Sequence, residues 1–170
     1  FPGVYTVVAP KGIVAVRNFI TDYYEEGRYV VSLDDDIIKL IDENENSTSL
    51  KRLIALGFKK MKEHGARLWG VYPASNPFFM KKAPIEYSTS KLVHILGGLN
   101  GRLNDKSIVL SEECACKEEF ENSILYWKKY HKIIRFNKIA YKTKFYADGG
   151  IAASEGRTKK NRTRPRSKFS

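Results

Sequence analysis

The sequence predicts an α/β fold: a mixed sheet flanked by helices, in a single domain. Short β-branched and aromatic runs alternate with stretches of helical spacing, and glycines and prolines punctuate the joints. The chain has 170 residues and no internal repeat, enough for one domain with its own core. A hydrophobic fraction of 42%, with ten Tyr and nine Phe, excludes a disordered chain. No apolar run reaches the ~18 residues that a membrane span needs. No signal peptide is visible. The opening Phe1-Pro2-Gly3, without Met, reads as the middle of a longer protein, so an N-terminal segment is expected to be missing.

The elements follow in order. Val4-Tyr5-Thr6-Val7-Val8 reads as a strand broken by Pro10. Lys11 to Glu26 carries Ile13, Val16, Phe19, Ile20 and Tyr23 at helical spacing, with Gly27 as its stop. Tyr29 to Leu33 is a short apolar run of the buried-strand kind, ended by Asp34-Asp35-Asp36. Ser47-Thr48-Ser49 caps a helix running to about His64 and closed by Gly65. Arg67 to Tyr72 is a strand that Pro73 ends. Lys91 to Leu103 holds a strand and a turn around Gly97-Gly98, and Ser107 to Leu110 a further short strand. Lys117 to Tyr130 is an amphipathic helix with Phe120, Ile124 and Trp127 as its apolar positions. Ile133 to Phe136 is the last strand. The core domain spans 1–156 and a basic tail spans 157–170.

Charge is unevenly placed. The net formal charge is +11, and the tail alone holds Arg157, Lys159, Lys160, Arg162, Arg164, Arg166 and Lys168 without an acid. A polyanionic partner, DNA or a nucleotide diphosphate, is one reading; a solvated tail is the other. Cys114 and Cys116 stand one residue apart, a spacing that suits neither an ordinary disulfide nor a four-ligand zinc site. A reducing, cytoplasmic compartment follows. His64, His94 and His131 are scattered and read as structural.

The acidic triplet is the sharpest signal. Three carboxylates beside an apolar core repel one another strongly unless a cation neutralises them. Mg²⁺ or Mn²⁺ takes oxygen from one or two carboxylates plus substrate phosphates. Ligands of open α/β sheets bind beyond the carboxyl ends of strands, where the triplet falls. The plainer reading makes Asp34 a cap for a helix over Ile37 to Ile41. Among the other acids, Glu118, Glu119 and Glu121 stand in a helix's first turn, which its dipole favours; alternatively one of them, Glu119 foremost, is a general base.

Arg17-Asn18 in a helix, followed by an apolar strand ending in Asp-x-Asp, resembles the GT-A glycosyltransferases. The ordered set Gly12, Arg17-Asn18-Phe19, Val31 to Asp36, Gly70 to Pro73 and Asn76 to Met80 is similar to the TET/JBP-associated glycosyltransferases of phages. Glu118 to Ser123, Arg135-Phe136-Asn137, Lys142 to Lys144 and Gly149-Gly150 continue the likeness. The resemblance implies a GT-A-like (Rossmann-like) fold lacking its N-terminal β-α-β unit. It implies Asp34 and Asp36 at a Mn²⁺ or Mg²⁺ ion, and Arg17, Asn18, Asp34 and Asp35 near a UDP-sugar. Tyr72, Asn76 and Phe78 would face the acceptor, although Phe78-Phe79-Met80 by itself reads as core. Glu119 stands where the family pattern has an Asp as base, with Glu118 beside it. Lys142, Lys144 and Arg157 neutralise the leaving diphosphate or are merely solvated.

The implied acceptor is a hydroxymethylated base in viral DNA inside an infected host cell. A viral protein or glycan acceptor is the second version. A non-enzymatic nucleic-acid-binding domain and a two-metal nuclease are readings from other classes.

Overall fold

A computed structural model of the chain describes residues 3–82, 87–88 and 98–144. The elements run α1 (Ile13–Tyr23), β1 (Tyr29–Leu33), β2 (Ile37–Asp42), α2 (Leu50–His64), β3 (Leu68–Tyr72), α3 (Pro77–Lys82), β4 (Tyr87–Ser88), β5 (Leu99–Leu103), a 3₁₀ turn (Glu112–Lys117), α4 (Glu118–Tyr130) and β6 (Ile134–Thr143). The sheet order is β1-β5-β3-β6-β2, with β4 paired to β6. Only β3 and β6 are parallel; the other pairings are antiparallel. The sheet is therefore mixed, as the sequence predicts. Its directions matter more than its class. β1, β3 and β6 all run the same way, so their carboxyl ends open at one edge.

Trp69 and Val71 of β3 and Ile134 and Phe136 of β6 pack with Leu53 and Met61 of α2 on one face. Leu68 and Ile133 meet Tyr126 of α4 on the other. α2 forms as its sequence asks: Ser49 accepts from the Arg52 amide at 3.4 Å, and Gly65 closes it at φ 65. α1 ends on Asn104, a fully buried residue whose amide donates to the carbonyls of Thr21, Tyr24 and Glu25. That clasp fixes the helix carrying Arg17 against the end of β5. No helix among the described residues is long and apolar enough to cross a membrane.

Several expectations are corrected. Val4 to Val8 takes no strand pairing; Tyr5 and Val8 are 88% and 92% exposed. β-propensity makes a strand only when a neighbour supplies the ladder. Ser107 to Leu110 is irregular, because its amides bond elsewhere: Ile108 to the Asp105 carbonyl, Leu110 to the Asn18 side chain. β1 is an edge strand, with Tyr29 and Leu33 exposed, rather than buried. Ile37 to Ile41 is not helical but lies within β2, held by β6, so the triplet is the turn between two strands. Phe78 and Phe79 are exposed and only Met80 is core. The strand expected from Lys91 is seen from Leu99, and residues 91–97 lie outside the described set.

Of the apolar stripe expected on α4, Trp127 packs against the core and the other two positions do not. Phe120 and Ile124 are exposed, while Glu118, Ser123 and Tyr126 are buried. A helix that turns its acids inward and leaves apolar residues outside departs from the usual rule. What it faces explains why.

Candidate functional site

Alternation along β1 and β5 makes one face of the sheet polar. Leu99 and Gly101 of β5 lie on the Trp69 side. Ser32, Asn100 and Arg102 point the other way, toward α1 and α4, and line an inner pocket. Its remaining walls include Arg17, Thr21, Glu118, Glu119 and Asn122, and its volume is about 20 Å³. That is room for a water molecule or two. Arg102 is 5% exposed and, among the described residues, its side chain donates to the hydroxyls of Ser32 at 3.3 Å and Thr21 at 3.5 Å. Burial lowers its affinity for its proton, and nearby Arg17 adds to that. The inward acids of α4 face this cationic wall.

The larger cavity is a cleft of about 520 Å³ at the carboxyl ends of β1, β3 and β6. Asp34 and Asp36 supply one side, Pro73 to Asn76 another, and Gly98, Glu119, Tyr141 and Thr143 complete it. The volume lies within the ordinary range of small-molecule sites. Glu119 lines both cavities and forms part of the partition between them.

The triplet turn is held from both sides. The Asp34 amide donates to the Gly98 carbonyl at 2.8 Å, and the Lys144 amide to the Asp36 carbonyl at 2.9 Å. The Asp34 carboxylate accepts from Arg17 at 3.1 Å, so α1 aims it. Asp36 is exposed, yet partial loss of water, with repulsion from Asp34 and Asp35, raises its carboxyl above the usual range. A cation would relieve that repulsion. Asp35 is exposed and lies outside the cleft lining.

Glu119 enters from the first turn of α4, where the helix dipole would favour its charge. Burial acts against that, and Glu118 and then Asp34 add to it. Together they outweigh Arg17 and push the carboxyl up to about 7. A carboxylate poised there exchanges a proton readily at neutral pH. α4 is locked in place by Asp105, 2% exposed, which Lys129 at 2.6 Å, Ser107 and Tyr130 all contact. Burial would raise Asp105, but those bonds hold it well below the usual carboxylate range.

Of the other expected site residues, Asn76 lines the cleft and the rest fall apart from it. Asn18 lines neither cavity; it clasps Leu110, donating to its carbonyl and accepting from its amide, both at 2.9 Å. Glu118 is buried on the inner pocket, not the cleft. Glu121 accepts from the Ser111 amide at 2.9 Å. Tyr72 lies beyond the lining with Arg135 over its ring at 4.8 Å. Asn76 lines the cleft and starts α3 by accepting from the Phe78 amide at 3.0 Å. Phe78 is exposed with the Lys82 ammonium 3.8 Å from its ring centre. Lys144 is exposed, and Arg157 lies outside the described residues.

Asn100, Arg102 and Tyr141 carry no motif, and nothing local in the sequence assigns Ser32 or Gly98 a place in the site. The visible signal is polar residues alternating with leucines in Leu99-Asn100-Gly101-Arg102-Leu103. Comparison with known protein families, curated proteins and solved structures returns no match to this chain.

Proposed function

We propose that the chain is the catalytic core of a metal-dependent glycosyltransferase, moving a sugar from a UDP-sugar to a hydroxyl acceptor. One observation carries the reading: a single cleft presents Asp34 and Asp36 on one side and a Glu119 carboxyl poised near 7 on another. A half-buried acid poised near neutrality beside two others in a cleft is the arrangement that proton-transfer chemistry uses. Among the described residues no group of three or more His, Cys, Asp or Glu converges as a metal cage. Two carboxylates suffice, however, where substrate phosphates complete the shell.

Asp34 and Asp36 would hold Mn²⁺ or Mg²⁺, and the ion supplies charge neutralisation of the diphosphate. Arg17 keeps Asp34 turned toward the turn and adds a positive charge behind it. Glu119 accepts the proton of the acceptor hydroxyl as that oxygen bonds to the sugar's anomeric carbon. The bond from that carbon to the diphosphate breaks, and its electron pair leaves on UDP. A base facing the diphosphate across the sugar makes the displacement inverting. The acceptor we favour is a hydroxymethylated base in viral DNA, supported by the basic balance of the chain.

Calorimetry with UDP and UDP-glucose, with and without Mn²⁺, tests the donor half. Wild type is expected to bind both only with the metal, and Asp36→Asn to lose that binding. Equal binding by the two proteins would end the proposal.

Gly98 should be intolerant for the same reason. A Cβ there would stand 2.7 Å from Asp34 Oδ2. The carboxylate can rotate away, so Gly98→Ala should unfold at nearly the wild-type temperature. With Asp34 displaced, a Mn²⁺ titration should read an affinity about tenfold weaker; unchanged affinity would remove Asp34 from the ligand set.

A further inference from the structure

We infer that Tyr141 is a sugar-contacting residue whose hydroxyl donates a hydrogen bond to the transferred sugar in the cleft. The inference rests on the transferase reading. Tyr141 sits on β6, opposite Leu40 of β2, and lines the cleft together with Asp34, Asp36 and Glu119. The Gly98 amide donates to its oxygen at 3.0 Å. A phenol has one proton to give, and its acceptor side is occupied by that amide. Among the described residues nothing accepts the proton.

Its surroundings say which oxygen it serves. Glu119, Asp34 and Asp36 are the charged groups close enough to act on it. Burial first, and those carboxylates after it, push the phenol up to about 12, so the hydroxyl keeps its proton and remains a donor. The diphosphate belongs beside Asp34 and Asp36, and the acceptor hydroxyl beside Glu119. The group between them is the sugar, and Tyr141 fronts that space. A neutral donor there recognises a hydroxyl without adding a charge that would compete for the metal.

The Gly98 amide also separates a contact role from a structural one. Gly98 carries the carbonyl that holds Asp34, so a merely structural Tyr141 would disturb the triplet turn when replaced. Tyr141→Phe is therefore measured with Mn²⁺ against UDP, UDP-glucose, UDP-galactose and UDP-N-acetylglucosamine, with the unfolding temperature alongside. Expected is an unchanged affinity for UDP and a loss of about 3- to 10-fold for the sugar nucleotide that wild type prefers over UDP. Equal loss for UDP and its sugars, or no loss for either, overturns the assignment. If wild type binds none of the four, the transferase reading fails first.

Discussion

Glu119→Gln is expected to lower turnover about 100- to 10,000-fold while making the protein more stable at pH 8. The two effects share one cause. Glutamine keeps the shape and the burial but accepts no proton, so the step that needs a base loses the gain a positioned base supplies. For wild type, kcat/KM should rise with pH and level off above about 7, because the ionised carboxylate is the working form. The variant should lose that limb. The stability effect has the opposite sign. The folded-state pKa lies above the ordinary 4.5, so the folded protein holds the proton more tightly than the unfolded chain. Stability therefore falls as pH rises from about 4.5 to about 7 and stays lowered beyond. Discounted for partial exposure, that loss is roughly 1–2 kcal/mol. Gln removes it, so the unfolding temperature should rise by a few degrees at pH 8 and hardly at pH 4. A variant that keeps its turnover would place the base elsewhere. One that is less stable at pH 8 would mean the carboxylate is not strained by burial.

The Glu119 site was half legible. Three acids after an apolar run stood out as a cluster, two of which the fold places in the cleft, and the acids of α4 were visible as candidates. The sequence could not say which of them turns inward, since Phe120 and Ile124 offered an apolar stripe that the fold leaves exposed. The inner wall they would have needed is itself polar: Ser32, Asn100 and Arg102 set the demand, and those lie on other strands. α2 was legible end to end because its cap, spacing and glycine stop are all local. Val4 to Val8 misled because a strand is completed by a partner, not by propensity. Tyr141 and Gly98, 43 residues apart, meet only once β6 and β5 take their places in the sheet. Local chemistry thus wrote the helices and the triplet, while non-local register decided which side chains share the cleft.

The same non-local packing makes Gly57 the position where a helix-favouring change should do the most harm to stability. Alanine in place of a mid-helix glycine ordinarily gains about 1 kcal/mol. Here a Cβ on Gly57 would lie 2.4 Å from two atoms of the Trp69 ring. The indole is 0% exposed, and it also lies so close to the Gly101 backbone that a Cβ there would stand 2.2 Å from its Nε1, so the ring has little room to give. Two glycines, one on α2 and one on β5, leave the slot that the ring fills. The overlap should force α2 outward at a cost of about 2–3 kcal/mol, enough to reverse the usual sign. Denaturant melts of Gly57→Ala should show a lower midpoint at an unchanged slope. In a Trp69→Leu background the same substitution should cost far less, since the smaller side chain leaves room for the methyl group. Additive losses in the double variant, or a stabilised single variant, would show that the slot is looser than described. The cleft should register the change too. β3 runs from Trp69 to Pro73 and the cleft wall, and β5 joins Gly101 to Gly98 and the Asp34 carboxylate. A displaced indole therefore moves both walls against which the donor is proposed to bind, and Gly57→Ala should weaken UDP binding although it touches nothing in the cleft.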